Sequence, residues 1–142
     1  MSNTGYDVII VGAGPAGIFS ALELSTQPGL RIAILDKGPD IDRRACPARK
    51  RGGQCTNCQP CAILTGWGGA GAFSDGKLTL SSAVGGHLAE ILGEERADQL
   101  ISAVGDTYLR YGEPRPLYGE RNDEIEALEK RAAGAGLRFV SV

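Results

Sequence analysis

Tyr6-Asp7-Val8-Ile9-Ile10-Val11-Gly12-Ala13-Gly14-Pro15-Ala16-Gly17 is the stretch on which the fold turns. Its first half is a nearly continuous apolar, β-branched run that stops at glycine. That is the pattern of a strand buried on both faces of a parallel sheet, and it predicts the central strand. Its second half fits G-x-G-x-x-G. Pro15 falls in the first turn of a helix, where its missing N–H costs least. Ile18, Ala21, Leu22 and Ser25 then recur at helical spacing to about Gln27, and Pro28-Gly29 closes the helix. Arg31-Ile32-Ala33-Ile34-Leu35 reads as a second buried strand. Residues 6–36 therefore predict a βαβ unit with a right-handed crossover, which places the chain in the α/β class as a Rossmann-type FAD/NAD(P)-binding domain with a parallel sheet.

The glycine spacing has a chemical reason. Gly12 permits a tight turn, Gly14 lets backbone approach a pyrophosphate, and Gly17 lets the helix pack closely on the strand. The helix start, with Ala13, Pro15 and Ala16 around it, offers unpaired N–H groups and a positive dipole end to an anion. Asp36 closes the second strand about twenty residues beyond the last glycine, where an acidic side chain accepts hydrogen bonds from ribose hydroxyls. A carboxylate there repels a 2′-phosphate, an effect that the neighbouring Lys37 weakens slightly. The plain structural alternative is a glycine turn that merely packs.

Residues 37–80 change character and form a Cys/Gly-rich cofactor loop or insertion, almost free of periodicity. Thr65 to Lys77 reads TGWGGAGAFSDGK. Backbone this rich in glycine can approach a ligand closely, and successive amides can form an anion nest. Gly68, Gly69, Ala70 and Gly71 are its candidate contacts, with Ser74 and Lys77 adding a hydroxyl and a positive charge suited to phosphate or a reduced flavin. The other reading is a flexible surface loop, against which Trp67 and Phe73 argue. Cys46, Cys55, Cys58 and Cys61 give C-x8-C-x2-C-x2-C, a set able to converge on Zn²⁺ or an iron–sulfur cluster. Thiol redox chemistry and incidental cysteines are the alternatives. His87, the one histidine, receives no role.

Residues 85–142 predict a helical segment and a return strand. Ala97, Leu100, Ile101, Val104, Tyr108 and Tyr111 mark one face of a helix from Glu94 to about Arg110. Asn122 caps another helix that Gly134 and Gly136 stop, and Leu137–Val142 reads as a strand. The abrupt ending, without a further helix, suggests an N-terminal part of a longer domain whose sheet is incomplete at its C-terminus.

With 142 residues the chain is long enough for one domain with a sizeable core. Its formal charge of −2, with no basic stripe, argues against nucleic acid. No apolar stretch is long enough to span a bilayer and no signal peptide opens the chain, which points to the cytoplasm.

The fingerprint DVIIVGAGPAG, the cysteine-rich stretch and GWGGAGAFSDGKLTL together resemble a family of FAD-dependent dehydrogenases, or NAD(P)/FAD-dependent oxidoreductases. That family usually carries Glu where this chain has Asp36. The resemblance implies FAD as cofactor, with Gly12, Gly14, Gly17 and Asp36 at its ADP half and Gly68 to Lys77 nearer the flavin. It also implies a redox enzyme with a small-molecule substrate and an electron donor or acceptor, none of which the residues identify. A non-catalytic dinucleotide- or metal-binding module and an NAD-dependent dehydrogenase are the competing readings.

Overall fold

The structure is a computed structural model that describes residues 5–74, 76–112 and 122–137. The chain forms two compact units, one ending at Lys77 and the other beginning at Leu78.

The first unit is built on β1 (Val8–Val11), α1 (Pro15–Leu24) and β2 (Ile32–Leu35). The strands pair in parallel, with Val8 opposite Ile32 and Val11 opposite Leu35. Both ends of the pair are pinned. At the start, the Asp7 amide donates to the Arg31 carbonyl (2.8 Å), while Asp7 Oδ2 accepts from the Arg31 amide (2.9 Å) and Nε (3.2 Å). At the end, the Gly12 amide donates to the Leu35 carbonyl (2.7 Å). This register fixes where Asp36 leaves the sheet relative to the glycine turn. The helix stops at Leu24, three residues before the predicted end. There the Ser25 and Thr26 hydroxyls bond back to the Leu22 and Glu23 carbonyls, competing with the helical ladder.

One expectation is corrected. β1 is not buried on both faces: its residues alternate between half-buried and exposed, and Val11 is 85% exposed. Among the described residues the sheet has two strands, so β1 lies at an edge and no second layer covers its outer face.

Residues 37–77 hold more regular structure than their composition predicts. Asp40 caps a single 3₁₀ turn at Ile41–Arg43, its carboxylate accepting from the Ile41 amide at 2.7 Å. A short helix, α2 (Pro47–Arg51), ends at Gly52 in the left-handed region. The glycine-rich segment itself winds into a 3₁₀ turn at Gly69–Phe73.

The second unit carries α3 (Leu88–Leu92), α4 (Glu94–Tyr111) and α5 (Asp123–Gly134). Ala97 is buried on α4, and Gly105 lets Leu80 pack closely against that helix. The predicted stripe fades toward its end, where Tyr108 and Tyr111 are largely exposed. The cap at Asn122 forms as expected, with its side-chain oxygen accepting from the Ile125 amide at 2.9 Å. The predicted strand at Leu137–Val142 falls almost wholly outside the described residues. The sizeable core does not materialise: among the described residues only Ala13 and Ala97 are buried apolar side chains. No helix of the described residues is long and apolar enough to cross a membrane.

Candidate dinucleotide-binding site

The turn between β1 and α1 has the shape its glycines predict. Gly12 adopts φ +107°, in the region that glycine enters without strain. A Cβ at Gly17 would overlap the Gly12 carbonyl oxygen and press on Ile10, so α1 can start this close to β1 only with glycine there. The first intrahelical bond runs from the Ile18 amide to the Gly14 carbonyl (3.0 Å). Before it, the Ala16 and Gly17 amides find no acceptor among the described residues, which leaves them available to an anion.

Asp36 is turned toward this bend. Its Oδ2 accepts from the Ala13 amide and its Oδ1 from the Gly38 amide, both at 2.8 Å. The Ala13 amide, then those of Gly38 and Gly66, and the nearby Arg44 charge hold the carboxyl below the ordinary carboxylate range. The side chain is therefore a fixed anion at neutral pH. A carboxylate has about four lone-pair sites, so acceptor capacity remains after these bonds. Asp36 also lines a cleft of about 380 Å³ together with Gly38, Pro39, Asp40 and Trp67.

The second glycine segment lies directly on the first. The Gly68 amide donates to the Ala13 carbonyl at 2.8 Å. A Cβ at Gly69 would come within 2.9 Å of Gly14 Cα, and one at Gly38 would collide with the backbone of Gly66. Glycine-to-glycine contact thus lets three backbone turns share one small volume. The segment is no free linker, because its bends are locked from below by Arg44.

Arg44 is the residue that sequence reasoning missed. It is 6% exposed, and its guanidinium donates from Nε to the Ala62 carbonyl (2.9 Å) and from Nη2 to Ile63 (2.6 Å). From Nη1 it donates to Trp67 (2.6 Å) and Gly69 (2.8 Å). Its carbon also sits 4.7 Å from the centroid of the Phe73 ring, a cation–π contact. Nothing in the sequence marked Arg44 out from Arg43, Arg49, Lys50 and Arg51 around it. Pro39 and Asp40 in the cleft wall carried no signal either.

The remaining candidates are not drawn into this site in the same way. Lys37, Ala70, Ser74 and Lys77 are exposed, and the Ser74 hydroxyl accepts from the Gly76 amide (3.1 Å) in a local turn. Cys46, Cys55, Cys58 and Cys61 are free thiols. The described residues contain no group of three Cys, His, Asp or Glu side chains placed to hold a metal ion, so the structure does not gather the four thiols into a centre. Instead, the Ile63 and Leu64 amides, helped by Arg44, lower the Cys61 thiol below its ordinary value.

Comparison with known proteins bears on this geometry. Residues 7–45, which run from β1 past Asp36 to Arg44, match the FAD-binding domain family. The chain is 35% identical over 103 residues to a protein of Clostridium beijerinckii described only as uncharacterized, covering 72% of this chain and 18% of that one. It is 59% identical over 34 residues to an opine oxidase subunit of Rhizobium meliloti, covering 24% of this chain and 6% of that one. The corresponding opine oxidase subunit of Agrobacterium tumefaciens is 50% identical over 34 residues, covering 24% and 7%. The chain thus spans less than a fifth of the length of the curated relatives it matches. No solved structure matches it. The family matched over residues 7–45, the stretch that holds the glycine turn and Asp36, is one of FAD-binding domains.

Proposed function

We propose that this chain supplies the ADP-binding wall of an FAD-dependent oxidoreductase acting on a small-molecule substrate. One observation carries the reading: Asp36, at the end of β2, reaches the Ala13 amide of the glycine turn at 2.8 Å while lining an open cleft. The carboxylate and the unpaired Ala16 and Gly17 amides are thereby held on one bend. The amides suit a diphosphate, and the carboxylate suits the hydroxyls of the adjoining ribose. Bound FAD would supply the hydride or electron acceptance, and the residues here bind and orient it.

The finer fold assignment, a Rossmann-type domain spanning residues 1–142, is supported by the parallel register of β1 and β2 and by the fingerprint between them. Gly69 and Gly71 lie against Gly14 and Pro15, and the Gly68 amide bonds the Ala13 carbonyl, which supports the service of residues 68–71 along the cofactor. Lys37, Ser74 and Lys77 are assigned to the anionic parts of the same ligand on charge and hydroxyl chemistry. The two opine oxidase matches support redox chemistry and are too short to carry a substrate across to this chain. Cytoplasmic location and an electron donor or acceptor remain part of this proposal on sequence grounds alone.

The test is ligand-dependent stability. FAD at a hundredfold its Kd should stabilise the chain by about 2.7 kcal/mol, seen as a rise in Tm. The Gly17→Ala variant, whose methyl overlaps the Gly12 carbonyl, should lose about 1–3 kcal/mol of stability and the response to FAD. Stabilisation by NAD without any by FAD would overturn the reading in favour of a nicotinamide-dependent enzyme.

A further inference from the structure

The cleft beside Asp36 has a wall that neither a diphosphate nor a ribose would occupy. Trp67 stands in it with 43% of its surface exposed. Its backbone is nonetheless tightly held: its amide donates to the Pro39 carbonyl (3.2 Å) and its carbonyl accepts from the buried Arg44 (2.6 Å). Gly66 and Gly68 on either side both take positive φ, +113° and +83°. Packing closes tightly around both neighbours of Trp67: a Cβ at Gly66 would press on the Pro39 carbonyl and Arg44, and one at Gly68 would press on Ala72. A large aromatic ring kept in contact with water on so constrained a backbone is a poor use of apolar surface unless a ligand covers it.

The rest of the lining defines that ligand. Pro39 contributes a second apolar surface, and the cleft's two ionisable residues, Asp36 and Asp40, are both acidic. Asp40 is fixed by capping the Ile41 amide. A flat, uncharged heteroaromatic ring suits such walls, and a phosphate does not. We propose that Trp67 is the stacking platform for the adenine ring of the dinucleotide, and that Asp36 and Asp40 restrict the cleft to adenosine whose ribose carries no phosphate. The inference rests on the FAD reading above. With the ribose at Asp36, the base lies one glycosidic bond away, and Trp67 is the aromatic residue lining that space.

Trp67 is the sole tryptophan of the chain, so emission excited at the red edge, beyond tyrosine absorption, reports on it alone. The full chain is titrated separately with ADP, AMP, inorganic pyrophosphate and adenosine 2′,5′-bisphosphate, none of which absorbs the emitted light. ADP should quench the emission saturably, pyrophosphate should leave it unchanged, and the bisphosphate, which like AMP carries a single 5′-phosphate, should bind at least about tenfold more weakly than AMP. In a second measurement on FAD binding, Trp67→Ala should weaken affinity about tenfold and Trp67→Phe by no more than about threefold. If FAD binds but ADP leaves the emission unchanged, or Trp67→Ala retains full affinity, the stacking role is wrong and the FAD reading stands. Equal binding of AMP and the bisphosphate would overturn the acidic restriction. Failure of FAD to bind the wild-type chain would remove both readings together.

Discussion

Asp36 does two jobs with one carboxylate, and its ionisation can be followed. The Ala13, Gly38 and Gly66 amides and the Arg44 charge hold it below the ordinary value of about 3.9. A carboxyl lowered on folding contributes stability that is complete above the unfolded value and is lost as pH falls through the folded one. The window therefore lies below about pH 4. Urea midpoints measured from pH 2.5 to 6 should fall through that window in the wild type. In Asp36→Asn they should start lower at pH 6 and decline less steeply. Asp7, lowered by its bonds to Arg31, titrates in the same window, so Asp7→Asn is the control that separates the two. An unchanged acid limb in Asp36→Asn would show that its charge is not held by these amides. Asp36 was legible in the sequence because its role depends on local spacing: a strand of known rise ends beside a turn of known shape. Gly17 was legible for the same reason, since the atom it must avoid lies five residues away.

Between elements, the glycine-rich segment depends on a contact that no spacing rule reveals. Arg44 sits after a 3₁₀ turn and reaches carbonyls 18 to 25 residues further along the chain. Its partners are main-chain oxygens, which every residue possesses, so the sequence around them holds no matching charge to betray the pairing. The glycines at 66, 68 and 69 were visible as a cluster, but the side chain that folds them was not. The cysteines illustrate the converse. Their x2 spacing is conspicuous, yet C-x2-C-x2-C specifies proximity only if the intervening backbone bends to suit, and here Cys55 and Cys58 face solvent while Cys46 and Cys61 are half-buried. Arg44→Met tests the wiring. It should leave the Ala62, Ile63, Trp67 and Gly69 carbonyls without their donor, at a cost of about 3 kcal/mol or more. Denaturant unfolding measures that cost. Arg44→Lys, which keeps the charge but not the planar fork, should recover less than half of it. Loss of Arg44 should also weaken FAD binding, because Gly68 and Gly69 would no longer be held on the turn. Near-wild-type stability in Arg44→Met would mean that the glycine segment holds its form without this hub.

At the scale of the whole molecule, the sparse burial among the described residues follows from the sheet. Two strands and one covering helix bury one side of β1 and leave Ile9, Val11 and Leu35 at 57%, 85% and 55% exposure. The sequence of β1 is written for burial on both faces, whereas its surroundings among the described residues supply one. This mismatch marks the limit of the sequence signal: periodicity reports what a segment is built to bury, not which neighbours are present. A relative of which the chain covers 18% has ample length for further strands. The two situations have opposite mutational signatures. In the 142-residue chain, Val11→Lys should change stability by no more than about 0.5 kcal/mol, as substitutions at exposed sites do. It should also lower binding of the dye ANS, by interrupting an exposed apolar face. Within a longer protein whose sheet continues beyond β1, the same change would bury an unpaired charge and cost several kcal/mol. Thermal unfolding of Val11→Lys in both contexts distinguishes them. A large loss already in the short chain, accompanied by a fall in oligomer size, would show that the chain covers this strand with a second copy of itself.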